Sequence, residues 1–356
     1  MLRLEDNVYN RRCRQDEPKF KLWKSAGLML SYRCPSRCAC CYVFSGPDVA
    51  EPATEMTVEM ALDCWTAVRR MAGASGRVHL TGGEPFLDYD RLEQIMQAAQ
   101  KAGLEGLEKI ETNAYWCTDA QLVRQRLSRL KKLGLTRLQI STDVYHQQFV
   151  PFERVRLAAR IALDLLGPQR VQIRWRDFFA NPIMVGPMKE NQRNKAFLNA
   201  MAKRPERLLG RAAEKLANLF PLRTYEEFTD INCKQNLLGA RHVHIDGSGN
   251  VFPGTCIGIV VGKVISDSKH TLDRLWQQFD YRQHPIMSVL IEKGPTGLIN
   301  LAQQKSYQPK PGYAHKCHLC YDIRRFLYQK NAYSGYLGPA VCYGLAPSKN
   351  TPPATH

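Results

Sequence analysis

The sequence predicts an α/β fold, a partial (β/α)6 barrel of the TIM type with a smaller cysteine-containing C-terminal domain. From about Gly27, short β-rich segments alternate with longer helical segments, which is the pattern of βα units around a parallel sheet. After Asp230 this alternation stops, cysteines reappear, and proline and glycine become scattered. We therefore divide the chain into an N-terminal segment, 1–25, a barrel domain, 26–230, and a C-terminal domain, 231–356.

Five strand candidates make up the predicted sheet. Each of the first four is followed by polar, glycine or cysteine residues, and the carboxyl ends of parallel strands are where such folds place their chemistry. A sixth strand is expected somewhere within residues 182–230. The five candidates are 27–32, 77–81, 107–112, 137–141 and 170–175.

Capping residues and apolar periodicity predict the helices between these strands. Thr57 can cap a helix whose apolar residues repeat at helical spacing up to Val68. Thr118 or Asp119 can open a later helix, which Gly134 ends. Beyond the barrel, alternating apolar residues around a glycine-rich turn predict a β-hairpin within residues 242–252.

Composition limits the class of protein. Apolar residues make up 44% of the 356 positions and charged residues 23%, which is typical of a globular chain rather than a disordered one. Residues 1–16 contain no apolar run, and the most apolar later stretch, 256–265, is short and interrupted by Lys263. We therefore expect a cytoplasmic protein without a membrane span. Its 12 cysteines then indicate metal or redox chemistry rather than disulfides.

The chain is strongly basic, with a formal net charge of +17. Two basic runs contribute to it, one on a predicted helix at 124–132 and one at 189–215. Such a surface attracts polyanions, including RNA, or an acidic peptide. The alternative is that the charge serves solubility and neutralises anionic clusters and cofactors.

A cysteine motif lies directly after the first predicted strand. Cys34, Cys38 and Cys41 are spaced as CxxxCxxC, and such short spacings let one loop wrap three corners of a 4Fe–4S cluster. The fourth iron then lacks a protein ligand and can bind a cofactor or substrate directly. A zinc loop is the alternative.

This motif resembles the cluster motif of the radical S-adenosylmethionine (radical SAM) superfamily. The resemblance implies that the cofactor chelates the unique iron and that one electron cleaves its sulfonium to methionine and a 5′-deoxyadenosyl radical. That radical abstracts hydrogen from the substrate. The family usually has an aromatic residue before the third cysteine, where this chain has Cys40, and the spacing favours Cys41 over Cys40 as the third ligand.

A second motif follows the second strand. Gly82-Gly83-Glu84-Pro85 resembles the GGEP motif of the same family, which receives the ammonium group of the cofactor. Glycines let the backbone approach closely, and carbonyls and a carboxylate suit a cation. An ordinary βα turn is the alternative.

The resemblance extends to the ends of the later strands. In similar enzymes an SxD position contacts the ribose hydroxyls, which implies Ser141 and Asp143 here. Thr112 and Asn113 end the third strand and are further cofactor-binding candidates, although asparagine is also common at turns. Arg174 on the fifth strand can hold the cofactor carboxylate or be a solvated rim charge.

Two downstream segments resemble the region that joins the barrel to a SPASM or twitch-type domain. These are Gly210-Arg211-Ala212 and residues 244–251. Such domains bind auxiliary iron–sulfur clusters through cysteines. The implied ligands of one auxiliary cluster are Cys233, Cys256, Cys317 and Cys320, with Cys342 also available and zinc bound with His315 or His318 as the alternative.

The sequence as a whole predicts an oxygen-sensitive radical SAM enzyme, an oxidoreductase or transferase, that modifies a peptide or protein. It implies an external electron donor of the flavodoxin or ferredoxin type. A radical SAM enzyme acting on RNA or a small molecule is the second hypothesis. A hypothesis of another class is a non-enzymatic zinc protein that binds nucleic acid. No residue is assigned as a catalytic group, and His146 is expected to be a structural histidine.

Overall fold

The computed structural model describes residues 20–49, 55–266 and 270–345. Eight strands form one sheet in the order β5-β4-β3-β2-β1-β6-β7-β8. The first six strands pair in parallel, and β7 and β8 are antiparallel to their neighbours. The strands are β1 Ser25–Met29, β2 Arg77–Thr81, β3 Leu107–Thr112, β4 Leu138–Ser141, β5 Val171–Arg174, β6 His242–Ile245, β7 Asn250–Pro253 and β8 Gly262–Lys263.

Helices connect the parallel strands, so the predicted α/β class is confirmed. Long helices follow β1, β2, β3 and β4, and helices of mixed length, including the long α7 and α13, follow β5 and β8. The helices are α1 Val58–Ala72, α2 Tyr89–Lys101, α3 Ala120–Lys132, α4 Val144–Gln147, α5 Phe152–Leu166, α6 Arg176–Ala180, α7 Glu190–Lys203, α8 Arg211–Lys215, α9 Lys234–Leu238, α10 Leu272–Gln278, α11 Pro285–Glu292, α12 Gly294–Gln303 and α13 Lys316–Gln329.

The sixth parallel strand is not where the sequence predicted it. Residues 182–230 contain helices and no strand, and α7 is rich in alanine and other good helix formers. The sixth strand is instead β6, which pairs with β1 and not with β5. The predicted hairpin is confirmed, since β6 and β7 pair antiparallel, and it covers the edge that β1 would otherwise expose.

Local capping signals in the sequence predicted where α1 and α3 begin. The Thr57 side chain accepts a hydrogen bond from the Met60 N–H and caps α1. Asp119, not Thr118, caps α3 and accepts from the N–H groups of Gln121 and Leu122. Within the described residues, no helix combines the length and the apolar character that crossing a membrane requires.

A second, smaller apolar core covers the cysteine loop. It joins Cys38 and Ala39 to Tyr145 after β4 and to Phe197 on α7. The segment after β5 therefore shields the loop from outside, while the main core fills the space between the sheet and its helices.

Candidate functional site

A cleft lies at the carboxyl ends of the parallel strands. It encloses about 860 Å³ of empty space, part of it open to solvent, which is within the range of small-molecule and cofactor pockets. The predicted residues that line it are Cys34, Cys38, Cys41, Gly82, Gly83, Glu84, Thr112, Asn113, Ser141 and Arg174. Residues from five consecutive strand ends therefore meet in one place.

The cysteine loop is held by its own backbone. The Cys34 N–H donates to the Gly46 carbonyl at 3.1 Å, and the Cys41 N–H donates to the Cys38 carbonyl at 3.1 Å. The Cys41 sulfur accepts from the Ser45 N–H at 3.3 Å. These bonds fix a compact turn that presents its thiols to the cleft.

The thiols of the cysteine loop differ in their neighbours. Burial, and then the charges of neighbours that include Cys38 and Cys41, raises the pKa of Cys34 well above its ordinary value. Cys40 is placed differently, because its sulfur lies within 4.8 Å of ligand atoms of Asp143 and His146. Cys34 thus interacts with Cys38 and Cys41, while Cys40 interacts with Cys38 and lies beside Asp143 and His146; the choice of Cys41 over Cys40 stays a prediction.

The spacing of these thiols can be compared with that of a cluster and of a single metal ion. Tetrahedral zinc with bonds of about 2.3 Å holds its sulfur ligands about 3.8 Å apart. Among the described residues, no three cysteine sulfurs lie within 4.8 Å of one another. An iron–sulfur cube is a larger body that holds its thiolates further apart. The donor set and its spacing are thus compatible with the 4Fe–4S group, and the zinc loop stays the untested alternative.

Arg211 clamps the cysteine loop, a role that its sequence context did not predict. Its guanidinium donates to the carbonyls of Cys38, Phe44 and Ser45, at 3.2, 3.2 and 2.7 Å. The backbone N–H of Arg211 also donates to the Cys41 carbonyl at 2.9 Å. Four bonds from one buried residue fix the loop from behind, because a planar guanidinium can donate several bonds in a fixed geometry.

The GGEP turn packs directly on the same loop. The Gly83 N–H donates to the Ser31 carbonyl at 2.7 Å, and the Glu84 N–H donates to the Arg33 carbonyl at 2.9 Å. A Cβ atom at Gly83 would lie 1.9 Å from the Arg33 oxygen, so only glycine allows this approach. Pro85 is buried and opens a short 3-10 helix at Pro85–Asp88.

The Glu84 carboxylate already has three partners in the chain. It accepts from the Thr112 hydroxyl at 2.8 Å, from the Asn113 N–H at 2.7 Å and from the Phe86 N–H at 3.2 Å. Burial raises the pKa of Glu84 to about 7, against the opposing effect of these bonds. The carboxylate therefore locks the end of β3 to the GGEP turn, and its contact with an ammonium group stays a prediction.

Asn113 and Thr112 connect the turn to the cysteines. The Asn113 side-chain amide donates to the Cys34 sulfur at 3.6 Å. The Thr112 hydroxyl accepts from the Trp116 indole N–H at 3.0 Å. Both side chains are thus held in place by the chain itself, as a preorganised site requires.

The two residues of the SxD position, Ser141 and Asp143, have different places in the site. Ser141 lines the cleft, while Asp143 is buried behind it and is not a lining residue. Its carboxylate caps α4 and accepts from the His146 Nδ1 at 2.8 Å. Burial opposes the charged imidazole, but the Asp143 carboxylate outweighs this effect and raises the pKa of His146. The structure therefore makes Asp143 the group that orients His146, and His146 lines the cleft.

Arg174 faces the cleft, as its place on β5 predicted, and it has a partner that the sequence did not reveal. Its guanidinium donates to the Glu206 carboxylate at 2.9 Å, and Glu206 also lines the cleft. Glu206 follows α7 in a connecting segment. No local motif marks it, because the pairing joins residues that are distant in sequence.

The comparison with protein families covers this part of the chain. Residues 28–162 match the family model described as the Radical SAM superfamily. This chain carries a radical SAM domain. The predicted cofactors, a 4Fe–4S cluster and S-adenosylmethionine, are those of the superfamily, and the residues at the cleft fit them.

Other proteins resemble the radical SAM domain or the whole chain. A Bacillus subtilis protein named for peptide biosynthesis, YydG, is 26% identical over 133 residues, or 37% of this chain. The match spans 40% of that relative. The structure of BtrN with AdoMet and 2-DOIA aligns at a TM-score of 0.47 and 16% identity, over 78% of this chain and 90% of that one. The structure of Streptococcus suis SuiB bound to the precursor peptide SuiA aligns at a TM-score of 0.31 and 13% identity. This alignment covers 90% of this chain and 76% of that one.

The four predicted auxiliary cysteines lie together outside the radical SAM domain. Each thiol interacts electrostatically with the other three. Burial raises the pKa of Cys233 and that of Cys317 to about 12 each. Cys233 precedes α9, Cys256 follows β7, and the CxxC pair lies in the first turn of α13. Cys342 instead contacts the Tyr32 hydroxyl at 3.4 Å.

Positive charge surrounds this cysteine group. Arg324 is fully buried and hydrogen-bonds Cys320 and the Ile257 carbonyl. Its Nε has no partner, and no carboxylate in the described chain forms an ion pair with it. Arg207 and Lys316 also act on the thiols. An uncompensated buried cation is costly, so this environment fits an anionic thiolate cluster.

The histidine alternative for this group is not supported. The Nδ1 atoms of His315 and His318 accept from the backbone N–H groups of Cys317 and Ala314, at 3.2 and 3.3 Å. Within the described residues, neither imidazole belongs to a group of three metal donors within 4.8 Å. The four thiols therefore stay the predicted ligand set.

Proposed function

We propose that this chain is a radical SAM enzyme that modifies a peptide by hydrogen abstraction. The observation that carries the proposal is the meeting of Cys34, Cys38 and Cys41 with the GGEP turn and three further strand ends in one cleft. When bound, the cluster supplies one electron that cleaves S-adenosylmethionine to methionine and a 5′-deoxyadenosyl radical.

The residues of the chain prepare the cleft for that chemistry. Arg211 holds the cysteine loop rigid, and Glu84 ties the GGEP turn to Thr112 and Asn113. Arg174 presents a guanidinium suited to the cofactor carboxylate, and Glu206 orients it. Helices that follow β5 cover the loop and exclude water. The chain thus contributes position and charge, and the cofactors contribute the reactivity.

The substrate class is supported by two observations. The Bacillus subtilis relative is named for peptide biosynthesis. The basic face of α3, one of the two basic runs that suggested RNA binding, is largely used within the chain. Arg124 pairs with Asp164 at 2.7 Å, Arg129 pairs with Glu93 at 2.8 Å, and Arg126 stacks on Tyr89. A polyanion would have to displace these partners, so a peptide is the better candidate.

We also assign a second iron–sulfur cluster to Cys233, Cys256, Cys317 and Cys320, within residues 231–356. With four protein thiolates this cluster has no open iron, so it is suited to accept an electron rather than to bind the cofactor. The buried charge of Arg324 beside Cys320 favours its reduced form. This cluster would then accept the electron that leaves the substrate radical.

Isotope transfer tests the substrate class. The anaerobic enzyme receives S-adenosylmethionine, dithionite and a deuterium-labelled synthetic peptide, encoded by the nearest short reading frame beside the gene. We expect deuterium in the 5′-deoxyadenosine, because hydrogen abstraction moves the label, together with a mass change of the peptide. A scrambled peptide and deuterated bulk transfer RNA are the controls. Label transfer from the RNA, and none from the peptide, would contradict the assignment.

A further inference from the structure

Three imidazoles converge on one face of the sheet, and none of them is among the residues that line the cleft. His79, His242 and His244 each offer one ring nitrogen, and these three atoms all lie within 4.8 Å of one another. His79 and His244 are buried, and His242 is half-buried. The rings of His79 and His242 stack with centroids 5.1 Å apart, and His244 stands nearly perpendicular to both. This cluster has no part in the function proposed above.

The strand register builds this cluster. His79 on β2 and His244 on β6 are both opposite Gly27 on β1, which lies between them. A Cβ atom at Gly27 would lie 2.8 Å from the His79 Nε2 and 2.6 Å from the His244 Cδ2. The missing side chain therefore makes the space in which two imidazoles meet over the central strand. His242 joins them from the same face of β6.

Hydrogen bonds orient two of the rings. The His244 Nδ1–H donates to the Gly254 carbonyl at 2.6 Å, which leaves the lone pair on Nε2. The His242 Nδ1 contacts the Ser25 hydroxyl at 2.8 Å. Histidines that bind metal ions typically bond through their other nitrogen to a carbonyl or a similar group. Both rings show that arrangement.

The His79 ring has a buried nitrogen that no described atom hydrogen-bonds. The Nδ1 of His79 is buried and has no hydrogen-bond partner in the described part of the chain, although buried polar atoms are nearly always bonded. Only 7% of the His79 surface is exposed. The described chain therefore leaves the bonding of this imidazole incomplete.

The charges nearby permit a cation. Lys109 acts on all three rings, but its ammonium pairs with the Glu111 carboxylate at 2.8 Å, so the two charges cancel. Burial lowers the pKa of each imidazole, that of His79 to about 3. Neutral rings can bind a metal without first losing a proton.

We propose that His79, His242 and His244 bind one divalent zinc-class ion. Three imidazoles match the preference of zinc and similar borderline ions, and three protein ligands leave a fourth position open. The Tyr42 hydroxyl donates to the His244 Nε2 at 3.2 Å, so metal binding at His244 replaces this hydrogen bond and leaves the Tyr42 oxygen beside the fourth position. The ion joins β2 to β6 across β1.

Metal analysis of the full-length, cluster-containing protein tests this site. The protein is dialysed with Zn²⁺, then against metal-free buffer, and zinc and iron are counted per chain. We expect about one zinc that His79→Gln and His242→Gln each remove, with a rise in the zinc Kd of at least about tenfold. Iron content should stay at the wild-type level, which separates this result from failure of the iron–sulfur assignments.

A control and a second measurement exclude other sources of zinc. Cys40, Asp143 and His146 form the other group of donors within 4.8 Å, so Cys40→Ala serves as the control and should keep the zinc. X-ray absorption at the zinc edge of the wild-type protein should show nitrogen or oxygen ligands at about 2.0–2.1 Å. Absence of bound zinc, equal zinc in the histidine variants, or sulfur ligands at about 2.3 Å would each overturn the proposal.

Discussion

Replacing Cys34, Cys38 or Cys41 with alanine is expected to stop the formation of 5′-deoxyadenosine. Each change removes one of three thiols that hold the cluster, and the neighbouring thiol of Cys40 lies beside Asp143 and His146. Loss of a group that only supports a metal ligand already costs about 10–100-fold. We therefore expect a decrease of more than about a hundredfold, measured by chromatography of anaerobic reactions with dithionite.

Two cysteine variants serve as matched controls for this result. Cys40→Ala tests the neighbouring thiol of the same loop, and Cys64→Ala tests a buried thiol on α1. Both are expected to retain iron and to form 5′-deoxyadenosine at rates within about twofold of the wild type, since neither holds the cluster. Full activity of Cys41→Ala together with inactivity of Cys40→Ala would show that the third ligand was assigned to the wrong residue.

Replacing Cys317 or Cys320 with alanine should separate cofactor cleavage from substrate turnover. These thiols are proposed ligands of the second cluster, which we propose accepts an electron. Neither of them lines the cleft. We expect 5′-deoxyadenosine formation without substrate to stay within about twofold of the wild type, because distant sites act independently. Peptide modification should fall more than about a hundredfold, as followed by mass spectrometry.

The matched control for that prediction is Cys342→Ala. This buried cysteine also follows residue 230, but it contacts Tyr32 and not the four-thiol group. Its loss should leave both reactions and the iron content unchanged. Equal loss of cleavage and modification in Cys317→Ala would contradict the separate roles of the two clusters.

Local sequence signals predicted most of the barrel. Strands β2 and β3 have the predicted bounds, and β4 and β5 begin one residue later than predicted. Their β-rich runs and the capping residues Thr57 and Asp119 act over a few residues, so they can be recognised without the fold. The sixth strand could not be placed in this way. Its partner, β1, is distant in the chain, and the choice between β1 and β5 depends on tertiary packing.

The candidate site, too, was predictable where a local motif marks it and not where distant residues meet. CxxxCxxC and GGEP are contiguous motifs, and the structure brings them to one cleft as expected. Glu206 reaches the cleft and Arg211 reaches the back of the cysteine loop from positions distant in sequence, so only the fold reveals their contacts with Arg174 and the loop. The histidine cluster was missed for a related reason. His79 and His244 become neighbours only because both pair with Gly27.

The central claim is that three thiolates hold an iron–sulfur cluster with one open iron. Electron paramagnetic resonance of the reduced Cys317→Ala/Cys320→Ala double variant tests it most directly, because the loop around Cys38 then holds the remaining cluster. We expect about four irons per chain. We also expect the resonance signal to shift when S-adenosylmethionine is added, since the cofactor binds the open iron. A protein without iron, or a signal that the cofactor leaves unchanged, would contradict it.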